Sequence, residues 1–148
     1  MKRIKLNNGK HALIDDEDFN LVKNYKWRIA NGYAISGKIL MHRLILNSKP
    51  REYTDHINQN RLDNQRQNLR KCTQSQNQQN RPAYKNNKVG YKGVVRHRNK
   101  NIWLARITYH GVRVNLGSYK DPISAAQAYN EAALQVFGEY AYLNNMIR

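Results

Sequence analysis

Alternating apolar and polar positions open the chain. Ile4 and Leu6 precede the turn Asn7-Asn8-Gly9, and Ala12 and Ile14 continue the alternation after it. An Asn-Gly pair between two alternating runs is a strong hairpin signal, because both residues tolerate positive φ angles. The pattern predicts an N-terminal β-hairpin.

An acidic cluster, Asp15-Asp16-Glu17-Asp18, follows this hairpin. Such a cluster can bind a metal, but more often it caps the N-terminus of a helix and complements its dipole. We expect a helix from about Glu17 to Tyr25, with Phe19 and Val22 facing inward.

The segment from Trp27 to Met41 predicts further strands, with turns at Asn31-Gly32 and near Gly37. Aromatic and basic residues interleave here, which suits a nucleic-acid surface, although Trp27 is equally compatible with a core. The interleaved residues are Tyr25, Lys26, Trp27, Arg28 and Tyr33.

A polar run from Asn80 to Gly90, which contains Pro82, predicts a linker. Beyond it, short apolar runs and turn residues predict three antiparallel strands. Asp121-Pro122 supplies an N-cap and a first-turn proline for a helix that ends at Gly138. The expected strands are Gly93 to Arg98, Ile102 to Tyr109 and Val112 to Tyr119, and the inward helix positions are Ala126, Tyr129, Ala133 and Phe137.

Composition and charge narrow the class of protein. The chain has 148 residues and 40% apolar content, enough for one domain or two small ones. Its net charge is +16, and each of the segments 1–50, 51–87 and 88–148 carries an excess of basic residues. Charge spread in this way favours a folded surface that faces a polyanion. A ribosome-associated or merely solubilising charge is the alternative.

The cysteine and hydropathy patterns exclude other classes. Cys72 is the single cysteine, which excludes an internal disulfide and a Cys-rich zinc site, and we expect it to be a small buried residue in a strand. The sequence has neither a signal peptide nor an apolar run long enough to span a bilayer. These features predict a soluble, cytoplasmic protein without a membrane partner.

The candidate chemistry lies between Thr54 and Asn80. Asp55 and His56 are adjacent, Asn68 follows in a polar loop, and Asn77 and Asn80 lie on a predicted helix. A neutral histidine can serve as a general base near pH 7, and carboxylate and amide oxygens suit a divalent metal. Adjacent strand residues point to opposite faces, so we expect the strand to end at this pair. Thr73 and Gln76 form a capping-box pattern that starts the helix.

This stretch, with Leu69 after Asn68 and the lead-in His42-Arg43-Leu44-Ile45, resembles the HNH endonuclease family. The resemblance implies a ββα-metal core in which Asp55 and Asn77 bind Mg²⁺ or another divalent metal such as Mn²⁺. It implies that His56 is the general base and that Asn68 braces the loop through backbone hydrogen bonds. Many relatives have histidine where Asn77 stands, so the choice of metal is open and Asn80 is an alternative ligand. His42 could contact the site or a phosphate, or be structural.

The segment from Tyr91 to Asn144 resembles the AP-two/ERF DNA-binding domain of plant regulators and phage-type homing nucleases. The residues that carry this resemblance are Tyr91-Lys92-Gly93-Val94, Trp103-Leu104-Ala105-Arg106-Ile107, Leu116-Gly117-Ser118-Tyr119, Ala125-Ala126, Ala128-Tyr129, Ala132-Ala133, Gly138 and Ala141-Tyr142-Leu143-Asn144. The resemblance implies a sheet that enters the major groove of DNA. The candidate groove-facing residues are Arg96, Arg98, Lys100, Trp103, Arg106 and Arg113. A basic face that contacts only phosphates is the alternative, since Val95 and Asn115 depart from the family pattern.

The sequence thus predicts an α+β endonuclease of the homing type that acts on double-stranded DNA as a monomer or homodimer. The expected organisation is a nuclease domain at 1–81, with a β-rich lead-in at 1–50 and a ββα-metal core at 51–81. A linker at 82–89 and a DNA-binding domain at 90–148 follow. One metal site per chain predicts one strand cut per active site. The rivals are a DNA-binding regulator with an inactive nuclease site and an RNA-binding protein.

Overall fold

The computed structural model describes residues 1–146 of the chain, which divides into two compact units, Met1–Gln78 and Gln79–Arg148. The fold is α+β, built from small antiparallel sheets and short helices, with one long helix near the C-terminus. No helix within residues 1–146 has the length and apolar character needed to cross a membrane.

The predicted N-terminal hairpin is present. Strands β1 (Lys2–Lys5) and β2 (His11–Ile14) pair antiparallel, and Gly9 in the turn has a φ of +77°. Leu6 and Ile14 are buried, so this hairpin contributes one wall of the core of the first unit.

The helix predicted from Glu17 to Tyr25 is shorter than expected. A 3-10 turn at Asp16–Asp18 leads into the single-turn helix α1 (Phe19–Val22). The chain leaves the helix there because the indole Nε1 of Trp27 donates to the carbonyl of Val22 at 2.9 Å. Val22 and Trp27 are both buried, which places Trp27 in the core rather than on a nucleic-acid surface.

The acidic cluster does not cap this helix, because none of its side chains makes an N-cap hydrogen bond. Its side chains instead contact a segment far along the chain. Asp15 accepts from the backbone N–H of Arg66 at 2.7 Å, and the buried Asp18 accepts from the guanidinium of Arg66 at 2.6 Å and 3.0 Å. The cluster therefore anchors a distant turn instead of a helix end.

The predicted strands after Trp27 are present. Strands β3 (Arg28–Ala30), β4 (Tyr33–Ser36) and β5 (Ile39–Leu40) form an antiparallel sheet in that order. We expected strand structure up to Met41, but helix α2 (Met41–Ile45) begins at that residue. Arg43 in α2 donates to the carbonyls of Lys49 at 2.8 Å and Glu52 at 2.5 Å, which fixes the turn that leads to the next strand.

A second hairpin follows. Strands β6 (Tyr53–His56) and β7 (Leu69–Cys72) pair antiparallel, with His56 opposite Leu69, and helix α3 (Gln74–Gln79) comes next. The predicted capping box is present, because Thr73 N–H donates to Gln76 Oε1 at 2.8 Å and Gln76 N–H donates to Thr73 Oγ1 at 3.2 Å. Cys72 lies in a strand as expected, but it is only half-buried.

One apolar core joins the elements of the first unit. Its residues come from both hairpins, the middle sheet, α1 and α2, so strands that are only two to four residues long gain stability from shared packing. The buried members are Leu6, Ala12, Ile14, Val22, Trp27, Ala34, Met41, Ile45 and Leu69.

The second unit contains the predicted sheet and helix. Strands β8 (Val94–Arg96), β9 (Trp103–Tyr109) and β10 (Val112–Tyr119) pair antiparallel in the order β10-β9-β8 and pack on helix α4 (Pro122–Phe137). Asp121 accepts from Ser124 N–H at 2.8 Å as the N-cap of α4, and Gly138 ends this helix with a φ of +53°.

Small residues let α4 lie close to the sheet. Ala126, Tyr129 and Ala133 are buried on the inward face of α4, as the spacing predicted. A Cβ atom built on Gly93, whose φ is +76°, would lie 2.0 Å from Tyr129 Cδ2 and 2.7 Å from the carbonyl oxygen of Arg106. Glycine at position 93 is therefore required by both its backbone conformation and its surroundings.

A buried amide secures the C-terminal segment of this unit. Asn144 accepts from Lys92 N–H at 2.7 Å and donates to the carbonyl of Lys92 at 3.0 Å, and its own backbone pairs with the side chain of Asn130 at 2.8 Å and 3.0 Å. The segment predicted as a linker, 82–89, contains neither helix nor strand, but Asn87 orders its end by accepting from the N–H groups of Val89 and Gly90.

Candidate functional site

Asp55 and His56 occupy the end of β6, where the sequence placed them, and both side chains are buried. Asp55 lies opposite Arg70 in the hairpin and accepts two hydrogen bonds from its guanidinium, from Nε at 3.1 Å and from Nη2 at 2.8 Å. Both bonds reach the same carboxylate oxygen, Oδ2. Asp55 is thus a paired carboxylate on one face of the hairpin.

His56 belongs to a group of three rings that pack together. Its ring centroid lies 4.9 Å from that of His42 in α2, in an edge-to-face arrangement, and 5.9 Å from that of Tyr33 in β4. Tyr33 and His42 are themselves 5.2 Å apart. The middle sheet, α2 and the second hairpin therefore meet at the imidazole of His56.

Asn64 supplies a polar contact to His56 that sequence reasoning did not single out. Its side chain is completely buried, and its Oδ1 lies 3.3 Å from His56 Nε2. Asn64 comes from the loop between β6 and β7, whose many amide side chains gave no signal to separate it from its exposed neighbours Asn58 and Asn60.

Burial keeps both imidazoles neutral. Desolvation, together with the charges of His56 and Arg43, lowers the pKa of His42 to about 3. Desolvation also lowers the pKa of His56, partly offset by its hydrogen bond with Asn64 and by the nearby charges of Asp55 and Asp63. At neutral pH, His56 is an uncharged ring that can accept a proton.

Asn68 holds the loop after His56. Its Oδ1 accepts from the N–H of Asn58 at 2.9 Å, its Nδ2 donates to the carbonyl of Asp63 at 2.8 Å, and its own carbonyl accepts from Ile57 N–H at 2.9 Å. These are the backbone hydrogen bonds that a loop-bracing role requires. The hairpin thus brings Asp55, His56 and Asn68 together.

The amides predicted as metal ligands lie further along the chain. Asn77 is half-buried on α3, and its N–H donates to the carbonyl of Thr73 at 3.0 Å, while Asn80 is buried just after α3, in the second unit. Within residues 1–146, no group of three or more His, Cys, Asp or Glu side chains is arranged to hold a metal ion. The predicted set of Asp55 and Asn77 includes an amide and stays a prediction.

The residues predicted to face DNA are divided between the two faces of the C-terminal sheet and the turn that joins β8 to β9. Arg106 and Arg113 lie on the outer face, opposite α4, because their neighbours Ala105 and Ile107 point inward to the core. Arg106 is half-buried and Arg113 is exposed, and their cross-strand partners are Asn115 and Thr108.

Trp103 and Arg96 lie on the inner face of the sheet, next to the turn between β8 and β9. They are cross-strand partners, Trp103 packs against the core that contains Val94, and the Arg96 guanidinium lies 5.9 Å from the Trp103 ring. Arg98 and Lys100 are exposed in the turn between β8 and β9. Arg106 and Arg113 therefore form a surface separate from the one that Arg96 and Trp103 occupy.

These features define a small, strongly basic α+β protein whose candidate acid–base site lies at the end of a β-hairpin. The chain is 33% identical to a curated protein of Acanthamoeba polyphaga mimivirus described as an uncharacterized HNH endonuclease, and the match covers 93% of this chain and 76% of that protein. The chain belongs to the HNH endonuclease family. No family model matches it.

Proposed function

We propose that this protein is an endonuclease that hydrolyses phosphodiester bonds in double-stranded DNA, with His56 as the general base. The observation that carries the proposal is the state of His56, an uncharged and oriented imidazole at the end of β6 in a chain of net charge +16. Membership of the HNH endonuclease family supports the same reaction.

His56 accepts a proton from the water that attacks phosphorus. A general base contributes most when its pKa lies near the working pH, since it is then largely in the acceptor form and still has a high affinity for the proton. Burial, which lowers the pKa of His56, keeps the ring in that form at neutral pH. The loop that Asn68 braces keeps the end of β6 from moving during this transfer. The family resemblance gives 5′-phosphate and 3′-hydroxyl ends as the products.

Asp55 and Asn77 are the residues proposed to hold a divalent metal. Carboxylate and amide oxygens are hard donors that suit Mg²⁺ or Mn²⁺, so the donor chemistry fits. When bound, the metal supplies a positive charge that stabilises the charge developing on the phosphate and the leaving oxygen. Arg70 donates two hydrogen bonds to Oδ2 of Asp55, which hold this carboxylate in one orientation.

The outer face of the C-terminal sheet is the proposed DNA-binding surface. Arg106 and Arg113 lie there beside the polar side chains of Thr108 and Asn115, and arginines on a sheet can contact phosphates or guanine edges in the major groove. We further propose that the cleavage is site-directed, of the homing type. It is supported by a binding surface separate in sequence from the hairpin that carries His56.

A supercoiled-plasmid assay of wild type, His56→Ala and His11→Ala tests the proposal. His11 is an exposed histidine of β2 and serves as the matched control. Wild type and His11→Ala should produce open circles with Mg²⁺ and none with EDTA, and His56→Ala should lose at least about 100-fold in rate.

The product separates the remaining possibilities. One site per chain predicts nicked circles, and linear DNA would indicate a paired assembly. If the wild type binds a DNA site tightly and never cuts it, the nuclease proposal is wrong and a regulator with an inactive site replaces it.

A further inference from the structure

Asn64 is buried in a way that loop amides seldom are. It lies in the polar loop between β6 and β7, yet its exposed fraction is 0%. Burying an amide is costly unless its donors and acceptor find partners. Asn64 finds three, because its backbone N–H donates to Leu13 O at 2.8 Å, its Nδ2 donates to Leu62 O at 3.2 Å, and its Oδ1 faces His56 Nε2 at 3.3 Å.

The second of these contacts fixes the direction of the amide. A backbone carbonyl can only accept, so the Asn64 atom on Leu62 O has to be the nitrogen. The atom that faces His56 is then the oxygen, which can also only accept. In a neutral imidazole one nitrogen carries the proton and the other carries the lone pair. His56 Nε2 must therefore carry the proton.

We infer that Asn64 is a positioning residue that holds His56 in its Nε2–H tautomer and so makes Nδ1 the atom that accepts the proton from water. The inference rests on the proposed function of His56 as general base. It states which side of the His56 ring faces the attacking water, since the lone pair on Nδ1 lies on the side away from Asn64. Asn64 acts through His56 and does not touch the reacting atoms.

The N-terminal hairpin holds Asn64 in place. Leu13 of β2 accepts from Asn64 N–H, and Leu13 N–H donates to Leu62 O at 2.8 Å, so one residue of β2 pairs with both sides of the loop turn. Leu13 also forms an isolated parallel bridge with Asp63. The N-terminal β-rich region thus has a role at the site, which is to set the position of the amide that orients His56.

Packing and hydrogen bonding have different effects on the His56 ring. His42 and Tyr33 contact its faces and edges, with centroids at 4.9 Å and 5.9 Å, and so restrict its rotation. Ring contacts do not distinguish one nitrogen from the other. The contact with Asn64 Oδ1 makes that distinction.

The direct test is ¹⁵N NMR of the imidazole rings in the metal-free protein at pH 8, where His56 is neutral. Long-range ¹H–¹⁵N correlations identify which ring nitrogen is protonated, and the His56→Ala spectrum assigns the signals. We expect wild-type His56 to show a protonated Nε2. A protonated Nδ1 would overturn the inference whether or not the protein cuts DNA.

Three variants extend the test. Asn64→Leu removes the acceptor that Asn64 Oδ1 offers to Nε2–H, so the Nδ1–H form should gain population and kcat should fall by about 10-fold or more with little change in KM. Asn64→Asp loses the hydrogen bond to Leu62 O but keeps an acceptor of the same shape next to Nε2, so it should retain the wild-type tautomer and more of the activity than Asn64→Leu. Gln67→Leu replaces an exposed amide of the same loop and should keep the wild-type tautomer and kcat.

The outcomes separate this inference from the proposed function. If Asn64→Leu fails to fold, as judged by thermal unfolding, the Asn64→Asp spectrum decides, and loss of the Nε2–H form there contradicts the inference. An unchanged tautomer and kcat in a folded Asn64→Leu also contradicts it. If no variant cuts DNA but the tautomer follows the acceptor at position 64, the nuclease proposal fails while the positioning of His56 by Asn64 stands.

Discussion

At the residue scale, two buried histidines lie side by side with different polar surroundings. His56 has the amide oxygen of Asn64 at its Nε2, whereas Nδ1 of His42 is buried without a hydrogen-bond partner among residues 1–146. An unpaired buried nitrogen is costly, and a charge on the same ring would cost more. The sequence left a structural and a functional role open for His42. The burial of His42 and its contact with His56 favour a structural role, in which the His42 ring packs against the proposed general base.

The burial of His42 makes a prediction about stability and pH. In the unfolded chain, histidine binds a proton as the pH falls through about 6.5, but folded His42 has a pKa of about 3. Protonation between these values favours the unfolded chain, so the free energy of unfolding should fall by up to about 1.4 kcal/mol per pH unit on this account. His42→Phe keeps a ring against Tyr33 and His56 but cannot titrate.

Urea denaturation of wild type and His42→Phe at pH 7, 6 and 5 checks this expectation. Carboxylates and His56 titrate in both proteins, so the difference between the two pH profiles isolates His42. The variant should lose less stability than the wild type on acidification. Parallel profiles would mean that His42 is protonated in the folded protein and that the ring is not held neutral by burial.

At the element scale, short-range signals in the sequence predicted well. Four predicted local features are present, namely the Asn-Gly turn, the Thr73 capping box, the Asp121 N-cap of α4 and the end of α4 at Gly138. Each of them involves only residues that lie within four positions of one another along the chain. Such features depend on local backbone geometry, which the sequence states directly.

Features that depend on distant residues were missed. Helix α2 is only five residues long, and its three buried residues, Met41, His42 and Ile45, are too short a pattern to predict a helix. Asp18 turns inward because Arg66, 48 residues away, pairs with it. Asn64 is buried because β2 binds its backbone. The position of the hairpin site along the chain could be predicted, but the amide that orients His56 could not.

The contact between the C-terminal sheet and α4 leads to a prediction about Gly93. An added methyl group would meet the ring of Tyr129 and the carbonyl of Arg106, on a backbone with positive φ. We expect Gly93→Ala to destabilise the second unit by about 2–4 kcal/mol through overpacking and backbone strain, and to weaken DNA binding with it.

Gly111→Ala is the matched control for this change. Gly111 also has positive φ, at +78°, but no atom of the described part of the chain lies within 4 Å of the position that its Cβ would take. Gly111→Ala should therefore lose only the stability that the strained backbone costs, about 1 kcal/mol. Thermal unfolding of both proteins makes the comparison. Equal losses of stability would show that close packing against Tyr129 contributes nothing.

At the scale of the whole molecule, charge is the dominant property. The chain carries 26 Lys and Arg residues against 10 Asp and Glu, with a sequence pI near 10.2. Part of this charge is used internally, since Arg66 and Arg70 pair with buried carboxylates. The remaining excess attracts any polyanion and by itself specifies neither a surface nor a sequence.

The last prediction separates this general attraction from a defined binding surface. Each phosphate contact contributes a slope of about 0.9 to the dependence of log affinity on log salt concentration. The double variant Arg106→Ala, Arg113→Ala removes both arginines of the outer sheet face and should reduce that slope by about 2. The matched pair Lys10→Ala, Lys23→Ala removes the same charge from exposed positions of the first unit and should reduce it by less than about 1.

Fluorescence anisotropy of a labelled duplex, titrated between about 50 and 200 mM salt, gives the three slopes. If the arginines contact phosphates, the loss of affinity will be the same for every duplex sequence, and if they contact base edges, it will vary with sequence. Either result supports the outer face of the sheet as the binding surface. Equal slopes for the two double variants would contradict it, because the affinity would then follow the net charge of the molecule and no particular face.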